Sequence, residues 1–267
     1  MALAVALAQY APRAGAVAEN MRQASLWIER AAGGGARLVV LPELVDTGYE
    51  MGAVREHAAG WEDGPAVEIA RLAERHGVFI AAGLSERTAG SIHNSVGVFS
   101  DRGEMVGHYR KAHLFSFGGF NERTVLTAGD DAATIPGPDV TLGVMVCYDL
   151  RFPELARKLT LDGARVLVVP AAFPNPRDRH WRTLLAARAM ENQVFVLGAN
   201  RVGADGDLDF CGHSTVLDPW GEVLAAADGT SEGLVTATLD LSVLDEARRT
   251  MPVWRDRRPE LYGGGER

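Results

Sequence analysis

The sequence predicts an α/β protein, and three observations carry that reading. Short apolar, β-branched runs alternate with stretches whose apolar residues recur at helical spacing. The alternation occurs twice, once in each half of the 267 residues. No low-complexity linker separates the halves, so one domain spanning 1–267 is expected. Strands alternating with helices imply sheets whose faces are covered by helices. Two such halves could form two stacked sheets with helices outside, or one continuous open sheet. The residue pattern alone leaves both open.

Each element has a local reason. "LAVALAQ" reads as a buried strand; it lacks the basic n-region of a signal peptide and runs into Gln9 and Tyr10. "AENMRQASLWIERAAGGG" is a helix, because Met21, Ala24, Ile28 and Ala31 share a face and the glycines end it. "ARLVVLPE" is a short continuous run typical of a strand covered on both faces. "GPAVEIARLAERHG" is a helix opened by Pro65 and closed by Gly77. "VFIAAGL" is a strand, and "NSVGVFSDRGEMVGHYRK" is a hairpin turning at Asp101 to Gly103.

The second half repeats the order. "TLGVMVC" is a strand, followed by the helix "FPELARKLTLDG" with Pro153 near its start and Gly163 past its end. "ARVLVVP" is a strand, and "DRHWRTLLAARAMEN" is a helix with Asp178 expected as N-cap. "QVFVLGANR" is a strand, and "HSTVLDPWGEVLAAA" is a hairpin turning at Pro219 to Gly221. Each half therefore reads β-α-β-α-β-β-β. The tail 251–267, with two prolines and clustered arginines, reads as an arm that is ordered only where it packs.

Composition narrows the function. A net charge of −8 argues against nucleic acid or an anionic membrane as the main partner. No apolar run approaches membrane-spanning length. Two cysteines make no disulfide framework, so a reducing, cytoplasmic setting with free thiols is expected. The seven histidines show no metal-ligand spacing, so a metal hydrolase is disfavoured. The glycines at 33–35 lack the strand–GxGxxG–helix context and read as a helix stop.

In α/β sheets, ligands collect beyond the carboxyl ends of the strands. Glu43, Lys111 and Cys147 each stand at such an end, as do Ala171 and Ala172 before the loop "FPNPRDRHW". Singly, each of the first three has an ordinary reading: a solvated loop carboxylate, a surface lysine and a small buried hydrophobe. Together they have a chemical one. A cysteine needs a base or a nearby positive charge to become a useful nucleophile. A carboxylate in an apolar setting is suited to take a thiol proton. A lysine beside it can hold that carboxylate and stabilise an oxyanion. Cys211, in "DFCGHS", reads as packing, and His180-Trp181 as a helix start that packs or shapes the pocket.

"LPE" with Glu43, "YRKAHLF" with Lys111 and "VCYDLRFPE" with Cys147 resemble, in order, the three signatures of the nitrilase superfamily of carbon–nitrogen hydrolases. "TGY" at 47–49, "ARAMENQVFVLGANRVG" and "GHSTVLDPWGEV" agree, so the resemblance covers nearly the whole chain. It implies an α-β-β-α sandwich of two stacked mixed sheets flanked by helices, and subunits that pair as a homodimer or larger homo-oligomer. It further implies that Glu43 is the general base, Lys111 the oxyanion stabiliser and Cys147 the nucleophile, with the backbone N–H of Tyr148 completing the oxyanion hole. Glu122, in "GGFNERTVL", matches a second glutamate of many members. No cofactor is implied.

The blocks "CYDLRFPE", "HW" and "GHSTVLDPWGEV" look most like the branch of omega-amidases and deaminated-glutathione amidases. Their substrates carry a terminal carboxamide and a distal carboxylate. Arg177 is the expected cation, since a guanidinium clasps a carboxylate with two bonds. Tyr49, Ala171 and Ala172 complete the expected substrate-binding set, while Arg151 is expected to pair with a carboxylate structurally. A nitrile, an N-carbamoyl amino acid or an aliphatic amide is the alternative substrate. A non-catalytic scaffold on the same fold is the alternative class, although a scaffold needs none of the three residues.

Overall fold

The structure, a computed structural model, describes residues 1–262. The first half runs β1 (Ala2–Gln9), α1 (Val17–Gly33), β2 (Leu38–Val40), α2 (Met51–His57), α3 (Gly64–His76), β3 (Phe79–Arg87), β4 (Ile92–Phe99) and β5 (Met105–Arg110). A small hairpin follows, β6 (Ser116–Phe117) and β7 (Phe120–Asn121). The second half begins β8 (Thr134–Gly137), β9 (Val140–Val144), α4 (Pro153–Leu161), β10 (Val166–Ala171), α5 (Asp178–Asn192) and β11 (Phe195–Asn200). A second small hairpin, β12 (Ala204–Asp205) and β13 (Leu208–Asp209), precedes β14 (Thr215–Leu217), β15 (Val223–Ala226), β16 (Gly233–Asp240), α6 (Ser242–Thr250) and α7 (Pro259–Tyr262).

Two six-stranded mixed sheets result, ordered β16-β1-β2-β3-β4-β5 and β15-β14-β11-β10-β9-β8. Strand alternation shows how they stack. Leu3, Val5 and Leu7 of β1 and Leu38 and Val40 of β2 share one core with Val144, Val168 and Leu197 of the other sheet. The intervening Ala6, Ala8 and Val39 face the opposite way, into a core with Met21 and Ile28 of α1 and Ile69 and Leu72 of α3. Leu159 of α4 and Trp181 and Leu185 of α5 pack on the second sheet's outer face. The layers are α-β-β-α, so the fold is the stacked pair of sheets and not one open sheet. Each such large apolar side chain, fully buried, is worth about 1.5–3 kcal/mol.

The predicted helices on α1, α3, α4 and α5 and both predicted hairpins are present. Besides β8 and the two small hairpins, which were not expected, four features differ from expectation. The first is β16, which closes the first sheet by pairing antiparallel with β1 from Ala2↔Asp240 to Gln9↔Gly233. The second is α2, a single short helix that Glu50 caps by accepting from the N–H groups of Gly52 and Ala53. The third is α6, and the fourth is the cap of α5: Asp178 is its first helical residue and Arg177 occupies the N-cap position. The tail packs in part. Its Trp254 ring lies under the guanidiniums of Arg157 and Arg248, 5.0 and 5.4 Å away, so that part of the arm packs on α4 and α6. Residues 263–267 of the expected arm lie outside the described residues.

Candidate active site

Glu43, Lys111 and Cys147 follow the carboxyl ends of β2, β5 and β9, and Ala172 follows β10. Since β1, β2 and β3 are parallel and β5 runs with β3, these ends open on one side of the sandwich. β2 and β9 are shorter than the apolar runs suggested, because the chain leaves each sheet early to form the loop that carries the candidate residue. The Glu43 loop lies directly on β3. A Cβ at Gly83 would stand 2.5 Å from the Pro42 oxygen and 2.7 Å from the Glu43 Cα, so only glycine permits this approach.

The side chains meet in a buried chain of charges. Lys111 Nζ donates to Glu43 Oε1 at 2.8 Å and to Glu122 Oε1 at 2.7 Å, and none of the three side chains is exposed. Glu43 accepts two more hydrogen bonds, from Asn94 Nδ2 at 2.6 Å and from the Ala172 N–H at 2.7 Å. Glu122 also accepts from the Tyr49 hydroxyl at 2.6 Å and from the Phe115 N–H at 2.6 Å. Burial alone would push the Lys111 ammonium down; Glu122 and then Glu43 outweigh it and hold the ammonium well above its ordinary value. Burial pushes the Glu122 carboxyl up, against the pull of Lys111. It pushes the Tyr49 hydroxyl up too, with Glu122 adding to the effect, so Tyr49 stays a donor.

Cys147 is 4% exposed and opens a 3-10 turn, Cys147–Arg151. Its φ of 46° lies in the left-handed region, where a residue with a side chain is strained by about 1–3 kcal/mol. Burial and then Glu43 push its thiol well above the ordinary value, against the opposing influence of Lys111 and the Ala172 N–H. The resting group is therefore a protonated thiol. Cys211 is also buried; burial pushes its thiol up to about 12, and Asn200 Nδ2 donates to its sulfur at 3.3 Å.

A cavity of about 750 Å³ opens beside this cluster. Tyr49, Phe120, Arg177 and Asp205 line it. Tyr49 stacks on Phe120 with centroids 5.3 Å apart and meets the edge of Phe210. Arg177 lies 4.3 Å from the Phe117 ring centroid and is in no ion pair among the described residues. Ala171 and Ala172 are buried at the end of β10, where Ala172 serves through its backbone. Arg151 departs from expectation. Instead of a carboxylate it meets His180 Nδ1 at 3.3 Å and the rings of Phe173 and Tyr148, because the last side chain of its 3-10 turn is directed toward the start of α5. Trp181 packs as expected, with Nε1 donating to the His213 oxygen at 2.9 Å. Among the described residues no group of three or more His, Cys, Asp or Glu is placed to hold a metal ion.

Asn94 was invisible to sequence reasoning, although it fixes the same Glu43 oxygen as Lys111. Its one local signal is "HNS", three polar residues inside the strand β4, all of them buried. Asp205 is a second such residue. It accepts from the Tyr49 N–H at 2.7 Å and pairs with the buried Arg201, and so fixes the backbone from which Tyr49 projects.

Comparison with known proteins agrees with this architecture. The family described as carbon–nitrogen hydrolase matches residues 4–249. The chain is 40% identical over 251 residues to the 2-oxoglutaramate amidase of Bacillus subtilis (strain 168), covering 93% of this chain and 95% of that one. It is 36% identical to the human omega-amidase NIT2, covering 91% of each. Among solved structures, Saccharomyces cerevisiae Nit3, described as a member of branch 10 of the nitrilase superfamily, superposes with a TM-score of 0.87 at 29% identity. It covers 94% of this chain and 95% of its own. A carbon–nitrogen hydrolase from Helicobacter pylori superposes with a TM-score of 0.90 at 30% identity, covering 98% and 97%. With the fold, the order of the three signatures and the family match in agreement, the chain belongs to the carbon–nitrogen hydrolase family and is an amidase.

Proposed function

We propose that this enzyme hydrolyses the terminal amide of small dicarboxylic acid ω-amides of the 2-oxoglutaramate kind, through a thioester on Cys147. The observation that carries the mechanism is the bridge of Lys111 Nζ between Glu43 and Glu122, beside a thiol that burial keeps protonated. Glu43 takes the thiol proton as sulfur attacks the amide carbonyl. Lys111 and the N–H of Tyr148 hold the developing oxyanion; that N–H has no acceptor among the described residues. Glu43 then delivers its proton to the leaving nitrogen, and ammonia departs. Water, deprotonated by Glu43, attacks the thioester and releases the acid and the Cys147 thiol. Glu122, with Tyr49 and the Phe115 N–H behind it, keeps Lys111 charged and aimed.

The named activities of the Bacillus subtilis and human relatives support an ω-amide as substrate. Arg177, a cation on the wall of the cavity in no ion pair among the described residues, supports recognition of the distal carboxylate. A cytoplasmic setting and a homo-oligomeric assembly belong to the same reading. The test is ammonia release from a panel: 2-oxoglutaramate, a neutral aliphatic amide, an N-carbamoyl amino acid and a nitrile. Arg177→Ala should raise KM about tenfold or more for the carboxylate-bearing amide, the worth of a charged hydrogen-bonded pair, and leave the neutral amide nearly unchanged. An equal effect on both would remove Arg177 from the carboxylate site. A preference for the nitrile or the carbamoyl compound would remove the ω-amide.

A further inference from the structure

The oxyanion hole of the proposed mechanism is built from two separate pieces of chain. Lys111 belongs to the segment after β5, and the Tyr148 N–H belongs to the turn after β9. Such donors act only if they are held within about 0.5 Å of the productive geometry. Something must therefore fix one segment against the other.

The Asp149 carboxylate joins them. It is fully buried and accepts four hydrogen bonds. Oδ2 takes the Tyr109 hydroxyl at 2.8 Å and the Val146 N–H at 2.9 Å. Oδ1 takes the His113 N–H at 3.0 Å and lies 2.7 Å from His113 Nδ1, whose proton it accepts. Tyr109 and His113 stand two residues either side of Lys111, while Val146 precedes the nucleophile. The Tyr109 oxygen in turn accepts from the Ala112 N–H at 3.1 Å, which pins the residue after the lysine. The His113 ring also stacks on Phe152, with centroids 3.6 Å apart and planes within 10°. Phe152 follows the catalytic turn and donates its N–H to the backbone carbonyl oxygen of Asp149 at 3.0 Å.

The same carboxylate holds the strained turn. Cys147 has a positive φ, and the N–H immediately before it is fixed by Asp149 Oδ2. A backbone in this region persists only where its surroundings over-determine it. Asp149 therefore controls two distances at once: from sulfur to substrate carbonyl, and between the two oxyanion donors.

We propose that Asp149 is a positioning residue for the oxyanion hole, acting through Tyr109 and His113 on Lys111 and through Val146 on the Cys147–Tyr148 turn. The proposal rests on the cysteine mechanism above. It separates two reactions of the same sulfur. Acylation by p-nitrophenyl acetate passes through a tetrahedral oxyanion: sulfur gains the acetyl group and p-nitrophenolate leaves with the bond electrons. Alkylation by iodoacetamide is a direct displacement in which sulfur bonds to the methylene carbon and iodide leaves. It forms no oxyanion. Both reactions require the thiol proton to be removed.

The experiment measures both rates in the full chain with Asp149→Asn and with Tyr109→Phe, beside circular dichroism. Asp149→Asn keeps the shape but turns an amide N–H toward one of the backbone donors. The acylation rate should fall about 100-fold, the cost of an ångström of misplacement, while alkylation changes less than about threefold. Tyr109→Phe removes one of four donors and leaves the ring in place, so acylation should fall about fivefold with alkylation unchanged. It decides the matter alone if Asp149→Asn does not fold. Acylation of the unaltered protein together with a wild-type ratio of the two rates in every folded variant would overturn the clamp alone. Absence of acylation in the unaltered protein would overturn the cysteine mechanism and the clamp with it. A parallel fall in both rates would show a damaged nucleophile and would also overturn the clamp.

Discussion

Replacing Lys111 with methionine tests the buried charge chain most severely. Methionine nearly fills the space of the lysine stem, so the change removes the ammonium without opening a large cavity. Two carboxylates then remain buried, each having lost a donor 2.7–2.8 Å away. Breaking a buried ion pair by removing one partner costs about 3–5 kcal/mol. At about 2.1 cal/mol/K of unfolding entropy per residue, 267 residues give about 0.56 kcal/mol per degree, so Tm should fall by about 5–9 °C. The loss should depend on pH. Burial already raises the Glu122 carboxyl, and without Lys111 only the hydrogen bonds from Tyr49 and the Phe115 N–H oppose that rise. The folded variant then holds a proton on Glu122 at a pH where the unfolded chain has lost it, so lowering the pH favours the folded state. Scanning calorimetry at pH 8 and pH 5.5 should therefore show a deficit in Tm that shrinks in acid, with amide turnover absent at both. A deficit below about 1 °C, or one that does not change with pH, would refute the electrostatic account of this cluster.

Three further outcomes follow from the same geometry. In Glu43→Gln, iodoacetamide should modify Cys147 at least about 100-fold more slowly at pH 7. Because burial holds the thiol well above its ordinary value, the residual rate should climb about tenfold per pH unit without a plateau up to pH 9. A plateau near neutrality would place the base elsewhere. Cys211, pushed up to about 12, is about one part in ten thousand thiolate at pH 8. It should be the last cysteine labelled in peptide maps of the native protein, and labelling ahead of Cys147 would contradict the assignment of the nucleophile. In Gly83→Ala the new Cβ meets backbone atoms of Pro42 and Glu43, so Glu43 must shift; kcat should fall about 100-fold while the circular dichroism spectrum is retained. Unchanged turnover would mean that the Glu43 loop tolerates displacement.

The parts legible in the sequence were those with local causes. The one-faced pattern of Met21, Ala24, Ile28 and Ala31 is a property of one segment, and all four are buried as that pattern requires. The placement of Glu43, Lys111 and Cys147 at strand ends was legible, and the structure brings Lys111 into contact with both Glu43 and Glu122. The strand β16 was not, because "GLVTATLD" is an edge strand with only Val235 and Leu239 buried, and its partner β1 lies at the other end of the chain. Asn94 was missed for a related reason. A buried amide in a strand has meaning only once the carboxylate facing it is known. Arg151 was misplaced because sequence spacing does not reveal which way a 3-10 turn directs its last side chain.

The central claim is that Cys147 carries the acyl group between ammonia release and hydrolysis. Acid quenching during turnover of 2-oxoglutaramate, followed by peptide mass mapping, tests it directly. The account predicts an adduct equal to the substrate less ammonia on the peptide containing Cys147, none on the peptide containing Cys211, and neither adduct nor ammonia in Cys147→Ala, whose fold is retained. Continued ammonia release by Cys147→Ala, or an adduct on another residue, would contradict it.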